Sequence, residues 1–220
     1  MKAVIFDFDG TMIDTEALWF EQTKLLLKEQ YDIDLPLEVF ARIIGTTNEE
    51  LIRYIMDKTN GLFQQESFQQ ILLERVEQQL NHLPLRSGFL PFFTQVKTFG
   101  CKIGLATSSN LAWIEPFLRR FDLYHDFDVI CTSDDVEKVK PDPALYQKAI
   151  QTLEIEPNEA IAVEDSVNGS LAALRAGLHC VVVPNVVTKQ MSFSDKVLLY
   201  DGYEKMNMHE LQKCLLTMTS

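Results

Sequence analysis

Two rhythms of apolar residues divide the chain. From Asp14 to about Pro84 apolar side chains recur at helical spacing, as in Leu18, Leu25 and Leu26 or Ile52, Ile55 and Met56. Asp, Pro, Gly and Asn interrupt this pattern near residues 32–36, 45–48 and 60–61. The Gln pairs at 64–65, 69–70 and 78–79 mark a polar stretch that still carries apolar residues at helical spacing, so it reads as an amphipathic helix. From Ser87 onward short β-branched runs alternate with helical ones: Lys102–Ala106, Asp128–Cys131, Ala160–Val163 and His179–Val183. That alternation predicts βαβ units on a parallel sheet. The opening run Ala3–Phe6 is a buried-type strand with no second strand nearby, so it is expected to join the later sheet across the helical stretch. The predicted architecture is α/β: a parallel-sheet core of residues 1–14 and 87–220, interrupted by a helical cap of residues 15–86.

Composition narrows the partners. With 46% hydrophobic residues and only 9 Gly and 8 Pro in 220, the chain can bury a sizeable core and is not a disordered sequence. A net charge of −12 argues against nucleic acid as a partner, because non-specific affinity for it rests on Lys and Arg neutralising phosphates. An anionic substrate would need local charge reversal. Cys101, Cys131, Cys180 and Cys214 show no CxxC pairing, and three of them sit in apolar runs, so buried thiols are expected in place of disulfides or zinc ligands. His82, His125, His179 and His209 share no metal-ligand spacing. Asp7 and Asp9 cut short the N-terminal apolar stretch, and no run reaches the roughly 18 apolar residues that a membrane span needs. A cytoplasmic monomer with no membrane partner is the expectation.

Ligands of Rossmann-like sheets bind beyond the C-terminal ends of the strands. Four polar signals fall at such ends: Asp7-Phe8-Asp9, Thr107-Ser108-Ser109, Lys140 and Glu164-Asp165. Asp7 and Asp9 can reach one cleft if the backbone turns at Gly10. Two close anions need a reason to coexist, and Mg²⁺ supplies one, with Asp165 placed to complete its site. The hydroxyls and free N–H groups at 107–109 could hold phosphate oxygens, and Lys140 could offset charge on a phosphoryl group. Taken singly, each signal has a plainer reading. Asp9-Gly10 is a turn, Thr107-Ser108-Ser109-Asn110 and Glu164-Asp165-Ser166 are helix caps, and Lys140 before Pro141 is solvated surface. Their joint occurrence in this order is what favours a site. Asp134 and Asp135 are read as an acidic loop outside it.

These motifs, taken in order, make the chain resemble the haloacid dehalogenase-like hydrolase superfamily, in the subgroup with a helical cap inserted after the first strand. The segment Asp7-Phe8-Asp9-Gly10-Thr11 looks like its nucleophile motif, Thr107 like its phosphate-binding Ser/Thr, Val139-Lys140-Pro141-Asp142 like the context of its lysine, and Glu164-Asp165-Ser166 like its acidic metal motif. Asp14-Thr15-Glu16 resembles the start of its cap. The resemblance implies that Asp7 attacks phosphorus to form an aspartyl-phosphate, while Asp9 protonates the leaving oxygen and then activates water. It implies Mg²⁺ held by Asp7, the Asp9 main-chain carbonyl and Asp165 with Glu164 in support. Thr107, the Ser108 N–H and Lys140 would hold the phosphoryl oxygens of a small phosphorylated metabolite.

Asp9 matches the phosphate-processing branches, whereas carbon–halogen cleavage and phosphonate cleavage in the family do without an Asp there. The similar phosphate branches are phosphoglycolate and sugar-phosphate phosphatases and β-phosphoglucomutase. Where the mutase cap supplies a His and an Arg, this chain aligns Trp19 and Asn48, so a hydrolase is favoured over a mutase unless Arg42 or Arg53 substitutes. Phospho-accepting receiver domains also group acids, a Ser/Thr and a Lys around Mg²⁺. The second acid at Asp9 and an insert of about seventy residues, fit to exclude water, argue against that reading. A scaffold that kept the fold and lost activity is opposed by the intact set of Asp7, Asp9, Thr107, Lys140 and Asp165.

Overall fold

The computed structural model describes residues 1–41, 43–44 and 49–218, with side chains described to residue 213. Six strands form one parallel sheet: β1 (Ala3–Phe6), β2 (Lys102–Ala106), β3 (Val129–Cys131), β4 (Ala160–Glu164), β5 (His179–Val182) and β6 (Leu198–Leu199), in the order β3-β2-β1-β4-β5-β6. β1 lies centrally, with Ala3 opposite both Lys102 and Ala160. The strand order reverses between β1 and β4, and a doubly wound sheet opens a crevice beyond its strand ends at such a point.

Period-two alternation along the strands sorts their side chains into two layers. Val4, Phe6, Ile103, Leu105, Ile161 and Val163 join one cluster, which includes Phe89, Phe92 and Phe93 of α5 (Phe89–Phe99) and Ile114, Phe117 and Leu118 of α6 (Leu111–Arg120). Ala3, Ile5, Ala106, Ala160, Ala162 and Cys180 join the other, with Leu145, Tyr146 and Ala149 of α7 (Ala144–Thr152) and Ala172 and Ala173 of α8 (Val167–Arg175). The first layer is aromatic: the Phe6 ring lies 5.4 Å from that of Phe89 and 5.6 Å from that of Phe93. Truncating so buried a Phe costs about 3–5 kcal/mol.

Between β1 and β2 the chain is helical: α1 (Thr15–Tyr31), α2 (Leu37–Ala41), α3 (Glu49–Lys58), α4 (Gln65–Leu80) and then α5. Asp14 starts α1 by accepting the Ala17 N–H, and Asp32 ends it in the left-handed conformation. The Gln-rich stretch is α4, which buries Phe68, Leu72, Val76 and Leu80 at four-residue steps, the spacing of one helix face. These side chains belong to the same cluster as the aromatic layer of the sheet. Where the chain leaves and re-enters the sheet region, Ile13 and Leu85 form an antiparallel bridge.

Two details differ from the pattern-based expectation. β3 begins at Val129, one residue later, and Asp128 before it meets Ile103 twice, its N–H donating to the Ile103 carbonyl at 2.8 Å and its carboxylate accepting the Ile103 N–H at 2.7 Å. β6 has only two residues, too short for a periodicity to register. The break expected over residues 45–48 lies outside the described residues. Among the described residues no helix is long and apolar enough to cross a membrane. Cys101, Cys131 and Cys180 are free thiols.

Candidate active site

Asp7 follows β1 directly, and its N–H donates to the Val163 carbonyl at 3.0 Å, so the sheet ladder fixes its backbone at the crevice. Lys140 reaches it from the loop after β3, with Nζ 2.6 Å from Asp7 Oδ1 and 2.7 Å from Glu164 Oε1. Glu164 is the last residue of β4 and fully buried. Its Oε1 also accepts the Tyr146 hydroxyl at 2.6 Å, and the Tyr146 ring lies 5.0 Å from Lys140 Nζ. Asp165 accepts the Thr11 hydroxyl at 3.1 Å on one oxygen and the Asn185 amide at 2.8 Å on the other.

Two glycines permit this crowding. A Cβ on Gly10, whose φ is +78°, would fall 2.3 Å from Asp165 Oδ2, and one on Gly169 would fall 2.0 Å from Glu164 Oε2.

The floor of the crevice is short of positive charge. Burial raises Asp7 to about 7 against the opposing pull of Lys140, with Glu164 and Asp9 adding to the rise. Burial also raises Asp165 well above the usual carboxylate range, helped by Glu16, Asp7 and Glu164. Burial works against charge on Lys140, yet Asp7 and Glu164 outweigh it and its pKa rises. One oxygen each from Asp7, Glu164 and Asp165 lie within 4.8 Å of one another. A buried, oxygen-only set of three carboxylates with a single ammonium fits a hard divalent cation such as Mg²⁺. These three carboxylates are among the groups that the family resemblance implies for the metal, the other being the Asp9 carbonyl.

Asp9 lies at the side of the same crevice and takes three donors. Its Oδ1 accepts the Thr15 hydroxyl at 2.8 Å and the Trp113 indole N–H at 3.0 Å, and its Oδ2 accepts the Ser109 hydroxyl at 2.5 Å. Thr107, buried at the end of β2, accepts the Ser109 N–H at 3.1 Å, and Asn110 caps α6. Of the three hydroxyl residues expected to face phosphate, Ser109 is therefore turned to Asp9, while Ser108 is exposed at the cavity. Asp7, Asp9, Thr107, Ser108, Lys140 and Asp165 all line one cavity of about 460 Å³, with Glu164 just behind it. A second cavity of about 450 Å³ shares Glu16, Trp19 and Ile44 with the first and continues between Phe40, Leu51 and Leu72 of the helical region. Asp134 and Asp135 stay outside, the former accepting the Leu111 N–H and the latter pairing with Lys148. Arg53 is exposed on α3 and lines neither cavity, whereas Arg42 and Asn48 lie outside the described residues.

This geometry places acids, a lysine and hydroxyls in the motif order of one family, and comparison with known proteins agrees. The sequence profile described as "Haloacid dehalogenase-like hydrolase" matches residues 4–183. The chain belongs to the haloacid dehalogenase-like hydrolase family. It is a family phosphatase, a phosphoric monoester hydrolase. It is 40% identical to a Bacillus subtilis protein named "Putative phosphatase YhcW", over 98% of this chain and 96% of that one. It is 32% identical to the "Phosphorylated carbohydrates phosphatase" of Thermotoga maritima, over 81% and 83% of the two chains. Among solved structures, CbbY from Rhodobacter sphaeroides in complex with phosphate superposes with a TM-score of 0.74 at 28% identity, over 96% of this chain and 99% of that one.

Several groups at this family site were not singled out from sequence. Arg86 donates to the carbonyls of Gly10, Val183 and Pro184 and so ties the turn after β1 to the end of β5. Asn185 bridges Asp165 and Glu16, at 2.8 and 2.9 Å. It follows β5 by three positions, so the strand-end rule that found Asp165 could have found it. Trp113 and Tyr146 carry no such signal.

Proposed function

We propose that the chain hydrolyses a small phosphorylated metabolite through an aspartyl-phosphate on Asp7, with residues 15–86 acting as the cap. The observation that carries this reading is the Asp7–Lys140 contact of 2.6 Å in a crevice that also holds Asp9. An Asp7 oxygen attacks phosphorus as the bond to the leaving oxygen breaks, and Asp9 gives that oxygen its proton. Asp9, now ionised, takes a proton from water as the water attacks the phosphoryl group, which frees inorganic phosphate and restores Asp7. Thr107, the Ser108 N–H and Lys140 hold the phosphoryl oxygens, so catalysis is positioning plus electrostatics. Asp7, the Asp9 carbonyl and Asp165, supported by Glu164, would hold Mg²⁺, which supplies charge neutralisation between carboxylate and phosphate.

The organic part of the ester extends past Trp19 into the second cavity. Trp19 occupies the place aligned with the mutase His, and an indole cannot hold a second phosphate as a cation would. This supports hydrolysis over a mutase cycle. We further read the protein as a cytoplasmic monomer, in keeping with its free thiols.

The test is a panel of phosphorylated metabolites and an aryl phosphate with Mg²⁺, including β-glucose 1-phosphate with a bisphosphate primer. Mg²⁺-dependent phosphate release is expected, lost in Asp7→Asn. No turnover of any phosphoester refutes the hydrolase, and isomerisation of the sugar phosphate replaces it with a mutase.

A further inference from the structure

Asp9 is held on both oxygens, and its three donors are not equivalent. The hydroxyls of Thr15 and Ser109 can rotate, so each can donate or accept as the carboxyl changes protonation. The indole N–H of Trp113 can only donate. Its partner, Oδ1 of Asp9 at 3.0 Å, must therefore present a lone pair in both states of the acid. The same oxygen accepts Thr15 at 2.8 Å, so its two lone pairs are taken. Among the described residues Oδ2 has one contact, the Ser109 hydroxyl at 2.5 Å, which leaves it a position for a proton.

The indole is itself fixed. Trp113 sits in the first turn of α6, its backbone N–H donating to the Asn110 side chain at 2.9 Å, and its ring lies 5.8 Å from that of Phe117 one turn later. It lines both the crevice and a smaller cavity that also has Leu80 and Arg120 in its wall.

We propose that Trp113 is a positioning residue which, by occupying Oδ1 of Asp9, assigns the transferring proton to Oδ2 and turns that oxygen toward the leaving group. The inference rests on the acid–base role proposed for Asp9. Without the indole N–H, the proton can sit on either oxygen and the carboxyl can rotate, so a smaller fraction of bound enzyme presents the acid correctly. The penalty then depends on how much the leaving group needs its proton. A dinitrophenolate departs almost unaided, whereas an alkoxide does not depart without it.

The test is kcat/KM with Mg²⁺ for esters of rising leaving-group pKa, namely 2,4-dinitrophenyl, p-nitrophenyl, phenyl and simple alkyl phosphates. Wild type, Trp113→Phe, Asp9→Asn and a protein with benzothienylalanine installed at position 113 are compared. The last keeps the bicyclic shape and lacks the N–H, so it remains informative if Trp113→Phe does not fold. Both N–H-deficient proteins are expected to lose about tenfold or more on alkyl phosphates and less than about threefold on the dinitrophenyl ester, a share of the 10²–10⁴-fold that general acid catalysis contributes. Equal losses across the series would assign Trp113 a structural role only, and unchanged rates would show that the contact does nothing; either overturns the proposal. If Asp9→Asn also lost equally across the series, the acid–base reading of Asp9 would fall, and the proposal with it. If Asp9→Asn shows the leaving-group dependence and the position-113 proteins do not, only the Trp113 assignment is wrong.

Discussion

The floor and the roof of the active-site crevice are built on opposite principles. On the floor, Asp7, Glu164 and Asp165 are buried at the ends of β1 and β4 and the Lys140 side chain is nearly so, with Lys140 joining Asp7 to Glu164, Tyr146 bonded to Glu164, and Thr11 and Asn185 bonded to Asp165. In the roof, Trp19 and Ile44 are half-buried, and the cavity behind them is walled by Phe40, Leu51 and Leu72, with Glu16, Thr23 and Gln69 as its polar groups among the described residues. The floor is charged and tightly bonded; the roof's described lining is mainly apolar. A buried charged group with several fixed partners has one workable position, whereas an apolar wall tolerates many shapes. The floor thus sets the chemistry, and the roof sets what is attached to the phosphate.

Substitutions can break this contrast. The largest effect is expected from Asp7→Asn on the floor: a loss on the order of 10⁴-fold or more in kcat for every substrate, measured by phosphate release. A loss confined to some substrates would move Asp7 into the roof's role. Lys140→Met comes next. It leaves Asp7 and Glu164 without their ammonium, so about 3 kcal/mol of stability should go, a fall in Tm of roughly 6–12 °C by calorimetry, together with most activity. A Tm within a degree of wild type would mean that the pair of contacts at 2.6 and 2.7 Å is not holding the floor.

Trp19→Ala in the roof should behave differently, raising KM roughly tenfold for substrates with a bulky organic part while leaving kcat for a small ester within about twofold. A fall in kcat across all substrates would show that the roof takes part in the chemistry. A pH-dependent effect concerns Glu16, which stands between the two regions. Burial raises it to about 8, against the Asn185 hydrogen bond and with the help of nearby acids. A carboxyl raised in the folded state holds its proton where the unfolded chain has lost it. Its contribution to stability is therefore present below about pH 4 and is lost as pH rises toward about 8. Thermal melts without divalent cation should show Tm falling from pH 5 to 8, and Glu16→Gln should flatten that slope. An unchanged slope would show that Glu16 titrates as it does in the unfolded chain.

Legibility in the sequence followed the same division. β1, β2, β4 and β5 could be read because strands buried on both faces appear as continuous apolar runs, and their ends mark where the floor's polar groups stand. Asp7 and Asp165 were read that way, whereas Lys140 lies in the loop after β3. Trp113 was not, since its contact with Asp9 spans 104 positions and depends on which way one face of α6 points. Tyr146 was hidden for a similar reason: an aromatic on a buried helix face reads as core, and only the fold shows its hydroxyl on Glu164. Trp19 could be located by alignment, but its place at the junction of two cavities required α1 to be set over the crevice.

The central claim is that Asp7 itself takes the phosphoryl group. Wild-type protein is mixed with an aryl phosphate and Mg²⁺, quenched in acid within the first turnover, and treated with borohydride, which reduces an aspartyl-phosphate to homoserine. Mass spectrometry of the N-terminal peptide should then show homoserine at position 7 and unmodified Asp9. Homoserine at another carboxylate, or none anywhere while phosphate is released at the normal rate, would contradict the account.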